Sequence, residues 1–154
     1  LEKALSFDLI ILSPGPGIPS EAGNMGKIIA ACAGKKPILG ICLGHQAIAE
    51  YLGAKLNNMS WVYHGVKNKI NILSNEEIFE GIPEEIEVGR YHSWEVVREG
   101  LPENISVTAE DENGTIMALS DSSQKLYGIQ FHPESVMTEY GEEMIQNFLK
   151  IAHS

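Results

Sequence analysis

The sequence predicts an α/β domain on a mostly parallel open sheet, with an antiparallel part in the C-terminal half. Three patterns carry this: short apolar runs alternating with amphipathic stretches up to residue 53, strand-like segments between residues 69 and 131, and one amphipathic helix at the end. The run at 7–12 (FDLIIL) stops at Ser13-Pro14-Gly15-Pro16-Gly17 and reads as a buried strand ending in a tight loop. Over 21–33, Met25, Ile28, Ile29 and Cys32 share one helical face. Lys36-Pro37 restarts the chain into a second buried strand at 38–41, and a helix follows at 43–52, closed by Gly53. Strand, helix, strand, helix in short succession means parallel βαβ units.

Strands are then expected at 69–73, 87–91, 106–110, 115–120 and 126–131, with Asn113-Gly114 as a hairpin turn. The last helix is expected at 142–151, with Met144, Ile145, Phe148 and Leu149 on one face. No repeat, low-complexity tract or linker divides the chain, so residues 1–154 are expected to form one domain. Without an initiator Met, and with its first strand so near the start, the chain is expected to lack an N-terminal strand–helix unit.

Composition excludes several functions. The 154 residues carry 11 basic and 21 acidic side chains, a formal net charge of -10 that repels phosphate backbones. No nucleic-acid partner is therefore expected. No apolar stretch near the start is long enough to span a bilayer or serve as a signal peptide, so no membrane partner is expected either. Two cysteines, Cys32 and Cys42, make no disulfide framework, which reads as a reducing cytoplasm. Residues 76–112 hold 12 acidic and 2 basic residues, so this stretch accounts for the whole net charge. Such a run is a solvated surface or a docking face for a basic partner.

The chemistry concentrates at Gly40-Ile41-Cys42-Leu43-Gly44-His45-Gln46. Cys42 stands between a buried strand and a helix with glycines two residues to either side, the layout of a nucleophile elbow. A sharp turn there needs small neighbours, and the helix start favours a thiolate. The Leu43 N–H is placed to meet an oxyanion. On its own the motif also describes an inert buried cysteine between packing glycines. His132 closes an apolar run, and Glu134, two residues on, points to the same side and can orient it. His64 and His92 read as loop or strand-end residues, His153 as terminal, and Cys32 as core. The Gly15-Pro16-Gly17 loop lies at the same sheet edge as Cys42, where α/β ligands bind. Zinc is excluded as a reading, because the Cys and His residues lack paired short spacings.

Three motifs in order, SPGPGIP at 13–19, GICLGHQ at 40–46 and GIQFHPES at 128–135, resemble the class I (triad) glutamine amidotransferases, whose fold is flavodoxin-like. The resemblance runs from about residue 7 to the C-terminus. Within the family, SPGPG and Tyr91-His92-Ser93-Trp94 look most like the glutamine-hydrolysing subunits of anthranilate synthase, with those of aminodeoxychorismate synthase as near neighbours. The resemblance implies Cys42 as nucleophile, His132 as base and acid, and Glu134 as its orienter. It implies Gly15, Pro16 and Gly17 lining the glutamine site, the Gly17 and Leu43 N–H groups as the oxyanion hole, Gln46 against substrate, and the Ser93-Trp94 backbone at the amino-acid end. It further implies L-glutamine as substrate, no metal or cofactor, and a hetero-oligomer whose other member is a chorismate-using synthase large subunit. Where the family often reads His-Gly-Lys, the chain has His64-Gly65-Val66-Lys67. The alternatives are a thiol peptidase and a truncated non-catalytic subunit; Gln46 and the SPGPG loop speak against the peptidase.

Overall fold

The computed structural model describes residues 2–13, 24–60, 62–74 and 76–153. After a short helix α1 (Glu2–Leu5) come β1 (Ile10–Leu12), α2 (Met25–Cys32), β2 (Ile38–Ile41), α3 (Leu43–Tyr51), β3 (Leu56–Asn58), β4 (Val66–Ile72), β5 (Glu85–Arg90) and β6 (Trp94–Val96). The chain continues through β7 (Ser106–Asp111), β8 (Ile116–Asp121) and β9 (Leu126–Ile129) to α4 (Gly141–Ala152). Seven strands form one sheet in the order β1-β2-β9-β8-β7-β4-β5, and β3 and β6 pair separately. β1, β2 and β9 run parallel, whereas every pairing from β9 outward to β5 is antiparallel. The expected α/β class and its antiparallel C-terminal part are both present, but the sheet is mixed rather than mostly parallel: among the described residues two of its six pairings are parallel and four antiparallel, because the strands after α3 join by hairpin-like returns and not by helical crossovers.

Alternation in the central strands feeds two cores. On one face Leu39, Ile41, Met117, Tyr127 and Ile129 pack with Met144 and Phe148 of α4. On the other, Ile38, Ile116 and Leu126 pack with Ile29 and Cys32 of α2 and with Ala47 and Ile48 of α3. Cys32 is fully buried, as expected of a core residue. The Asn113-Gly114 turn joins antiparallel β7 and β8, with Gly114 at a φ of 81° that suits glycine.

Several boundaries differ from expectation. The run at 7–12 is a strand only over Ile10–Leu12, and it is an outer strand: Leu12 is buried but Ile11 is 41% exposed. The helix expected from 21 is seen from Met25, its expected first residues lying outside the described ones. β4 begins three residues earlier than predicted, at Val66, because its polar N-terminal half gains cross-strand partners in β5 that hydropathy does not register. On α4, Leu149 is 39% exposed and Asn147 takes the buried position. The Asn147 amide donates to the carbonyls of Ile78 and Glu80, both at 3.0 Å, so a polar residue replaces the expected apolar one with its donors satisfied.

Two features of this layout position the site. The β2–β9 register pairs Gly40 with Gly128 and Ile41 with Ile129, so Cys42 and Gln130 emerge side by side at the same strand ends. Segment 132–139 lies along the free edge of β5: the His132 N–H donates to the Gly89 carbonyl at 3.1 Å, and the Glu139 N–H donates to the Glu87 carbonyl at 2.8 Å. The sheet thus curls until its last strand meets the loop that follows β9.

Candidate active site

Cys42 ends β2 and caps α3 with φ 54° and ψ −99°, a conformation a side chain adopts only under restraint. The restraint is visible on both sides. A Cβ on Gly40 would lie 2.4 Å from the Gly44 carbonyl carbon, and one on Gly44 would lie 2.5 Å from the Leu12 carbonyl oxygen. Any side chain there would push α3 off the sheet and relax the turn. The Cys42 N–H is held by the Ile129 carbonyl at 2.8 Å.

The thiol is 5% exposed and has three polar neighbours. It donates to the Tyr91 carbonyl at 3.8 Å, accepts from Gln130 Nε2 at 3.6 Å, and takes a further hydrogen bond from the Leu43 N–H. Burial pushes the thiol up to about 11, against the pull of Leu43 and Gln130 and with a smaller push from the Glu134 charge. The helix start was expected to favour the thiolate, but loss of hydration outweighs it in this resting arrangement.

His132 Nδ1 and Glu134 Oε2 are 2.8 Å apart, with side-chain exposures of 14% and 58%. His132 Nε2 is buried and engages no partner among the described residues. Tyr91 bridges the two halves: its carbonyl meets the Cys42 sulfur, and its ring meets the His132 ring edge-on with centroids 4.7 Å apart. The Cys42 thiol, the His132 imidazole and the Glu134 carboxylate are therefore gathered around Tyr91.

The remaining expected residues divide. Gln46 is 2% exposed, and its amide nitrogen donates to the Trp94 carbonyl at 3.0 Å and to Gln130 Oε1 at 3.2 Å. The Ser93 carbonyl accepts from the Met59 N–H at 2.8 Å, so both carbonyls of the Ser93-Trp94 pair are engaged within the protein. Gly15, Pro16 and Gly17 lie outside the described residues. Val66, where the family often has lysine, opens β4 at 39% exposure, and neighbouring Lys67 sits 4.0 Å from Glu87.

Sequence reasoning assigned no site role to three residues that shape the site. Gln130 was visible as a polar residue within an apolar run just before His132. His92 reads from sequence only as a loop or strand-end residue and Arg90 gives no local signal, because what marks both is burial. His92 is held down to about 4 by lost hydration and then by Arg90, and it stacks on Tyr63 at 5.2 Å. Arg90 is 1% exposed and bonds Asp111 at 2.7 Å while its guanidinium covers the Tyr63 ring at 3.6 Å. Among the described residues, no group of three or more His, Cys, Asp or Glu side chains could hold a metal ion, and no helix is long and apolar enough to cross a membrane.

The chain is similar to proteins with named functions. It is 45% identical over 150 residues to an anthranilate synthase component 2 from Lactococcus lactis, covering 96% of this chain and 74% of the relative. It is 42% identical over 148 residues to the aminodeoxychorismate/anthranilate synthase component 2 of Bacillus subtilis, covering 96% of this chain and 76% of that one. Among solved structures, a Thermoplasma acidophilum protein described as a GMP synthase subunit superposes with a TM-score of 0.88 at 31% identity, over 99% of this chain and 76% of that chain. The model of the family described as glutamine amidotransferase class-I matches residues 1–152, and on that match this chain belongs to the class I glutamine amidotransferases.

Proposed function

We propose that this chain is the glutamine-hydrolysing subunit, component II, of an anthranilate synthase, feeding ammonia to a large subunit that uses chorismate. The observation that carries the chemistry is the strained Cys42 turn beside the paired His132 and Glu134, with Tyr91 touching both. The acceptor pathway rests on the names of the relatives at 42% and 45% identity. Because the Bacillus subtilis relative is named for both syntheses, the second reading is a subunit shared with aminodeoxychorismate synthase.

The chemistry follows from the groups at hand. Cys42 gives its proton to His132 Nε2, and the thiolate attacks the side-chain amide carbon of L-glutamine. The oxyanion is met by the Leu43 N–H and, by family resemblance, that of Gly17. His132, oriented by Glu134 through Nδ1, returns the proton to the amide nitrogen as the C–N bond breaks, and ammonia leaves a γ-glutamyl thioester. His132 then takes a proton from water, which attacks the thioester and releases glutamate and the Cys42 sulfur. In the same reading Gly15, Pro16 and Gly17 line the glutamine pocket, Gln46 and the Ser93-Trp94 backbone shape its amino-acid end, and the cytoplasm is the setting. No step calls for a metal or cofactor.

Glutamate release should be measured for the chain alone and with an anthranilate synthase large subunit, against Cys42→Ser. Release that the large subunit stimulates and that vanishes in Cys42→Ser is the expected result. A folded Cys42→Ser protein that still releases glutamate would overturn the nucleophile. Stimulation by the aminodeoxychorismate synthase partner alone would move the chain to that pathway.

A further inference from the structure

A file of buried and partly buried hydrogen bonds runs from Arg90 at the end of β5 to Cys42, and its donors and acceptors can be assigned from its ends. Arg90 Nε can only donate, and it reaches His92 Nε2 at 3.1 Å, so that nitrogen accepts. His92 is neutral, so its proton sits on Nδ1 and is donated to the Trp94 carbonyl at 2.9 Å. A backbone carbonyl can only accept, so the Gln46 group 3.0 Å from it must be the amide nitrogen. That nitrogen's second hydrogen points at Gln130, 3.2 Å away, which must present Oε1. Gln130, fully buried, then has one orientation left: its NH2 faces the Cys42 sulfur at 3.6 Å. Flipping the Gln130 amide would set two donors against each other on one side and a carbonyl against sulfur on the other.

We propose that Gln130 is a further catalytic residue, an N–H donor to the Cys42 sulfur that stabilises the attacking thiolate, aimed by Gln46 as a positioning residue. The proposal rests on Cys42 being the nucleophile. It identifies which groups counter the cost of burying a charged sulfur. The Leu43 N–H helps but must also serve the oxyanion once the sulfur has attacked, whereas the Gln130 N–H stays with sulfur throughout. A donor to an anion is worth more than a donor to a neutral thiol, so the contact strengthens as the proton leaves. The ionisable groups on the elements around Cys42 are His132 and Glu134 after β9, Arg90 at the end of β5 with its partner Asp111, Tyr91 and His92 after β5, and His45 in α3. Of these Glu134 opposes the thiolate, and His92 and His45 are held neutral by burial. His132 favours the thiolate only once it has taken the proton, and a neutral donor such as Gln130 acts in both states.

The test is the pH profile of Cys42 alkylation by iodoacetamide, mapped to the Cys42 peptide by mass spectrometry, together with glutaminase kinetics in the presence of the large subunit. Gln130→Met removes the donor at similar volume; it is expected to move the alkylation midpoint up by about one pH unit and to lower kcat about tenfold with KM unchanged. Gln130→Glu places an acceptor against sulfur and is expected to move the midpoint further. Gln46→Met keeps Gln130 but frees its amide, and should give a smaller shift in the same direction. That variant also reads the proposal if Gln130→Met does not fold. A folded Gln130→Met chain with the parent's midpoint and kcat overturns the proposal. Failure of the nucleophile assignment is distinguishable, because Cys42→Ser would then still release glutamate while the alkylation midpoints remain measurable.

Discussion

Acidification from about pH 7 to about pH 5 should destabilise this protein through two buried histidines. His45 is fully buried and held down to about 3 by lost hydration. His92 is 4% exposed and held down to about 4 by burial and then by Arg90. In the unfolded chain both return to about 6.5. Below that value the unfolded state binds protons that the native state refuses, so stability falls as the pH drops and is fully present above it. At about pH 5 the unfolded histidines lie about 1.5 pH units above the solution, and each unit is worth about 1.4 kcal/mol, giving about 2 kcal/mol per histidine and about 4 kcal/mol together. The result does not depend on the native values so long as both stay well below pH 5. For a domain of this size it corresponds to a Tm lower by roughly 10 °C. Urea unfolding at the two pH values measures it, and His92→Asn and His45→Asn should each remove about half of the difference, whatever they do to stability at neutral pH. A difference below about 1 kcal/mol, or one unchanged in both variants, would refute the reasoning.

Two further outcomes follow from the packing. Gly44→Ala would set a Cβ 2.5 Å from the Leu12 carbonyl oxygen and 2.7 Å from the Leu12 Cβ, with only backbone and a Cβ to yield; it should cost about 2 to 3 kcal/mol in urea unfolding and abolish glutamate release, because α3 carries the Cys42 turn. Asp111→Asn leaves the buried Arg90 charge without its partner at 2.7 Å and should cost about 3 to 5 kcal/mol, much of it recovered when Arg90→Met is added, as a double-mutant cycle would show.

The features legible in the amino-acid order are local ones. The strand Ile38–Ile41 matches its predicted span, and helix Leu43–Tyr51 ends one residue early, because an apolar run, a glycine-flanked turn and a closing Gly53 act within a few residues of one another. The Asn113-Gly114 hairpin was legible for the same reason. The pair β3–β6 was not, since Leu56-Asn57-Asn58 has no alternation and becomes a strand only by pairing with Trp94–Val96.

The sequence by itself determined the α/β class, the strand–turn–helix at Cys42 and the His132-Pro133-Glu134 spacing, since each depends on neighbours in the chain. Tertiary structure alone decided the electrostatic state of the site. The thiol is pushed up to about 11 by burial, and burial comes from elements distant in sequence closing over Cys42. Gln130 reaches the sulfur from 88 residues away because β2 and β9 share a parallel register, and Arg90 finds Asp111 across 21 residues through the curl of the sheet. Desolvation and hydrogen-bond direction depend on what surrounds an atom in space, and a linear chain specifies that only once it has folded.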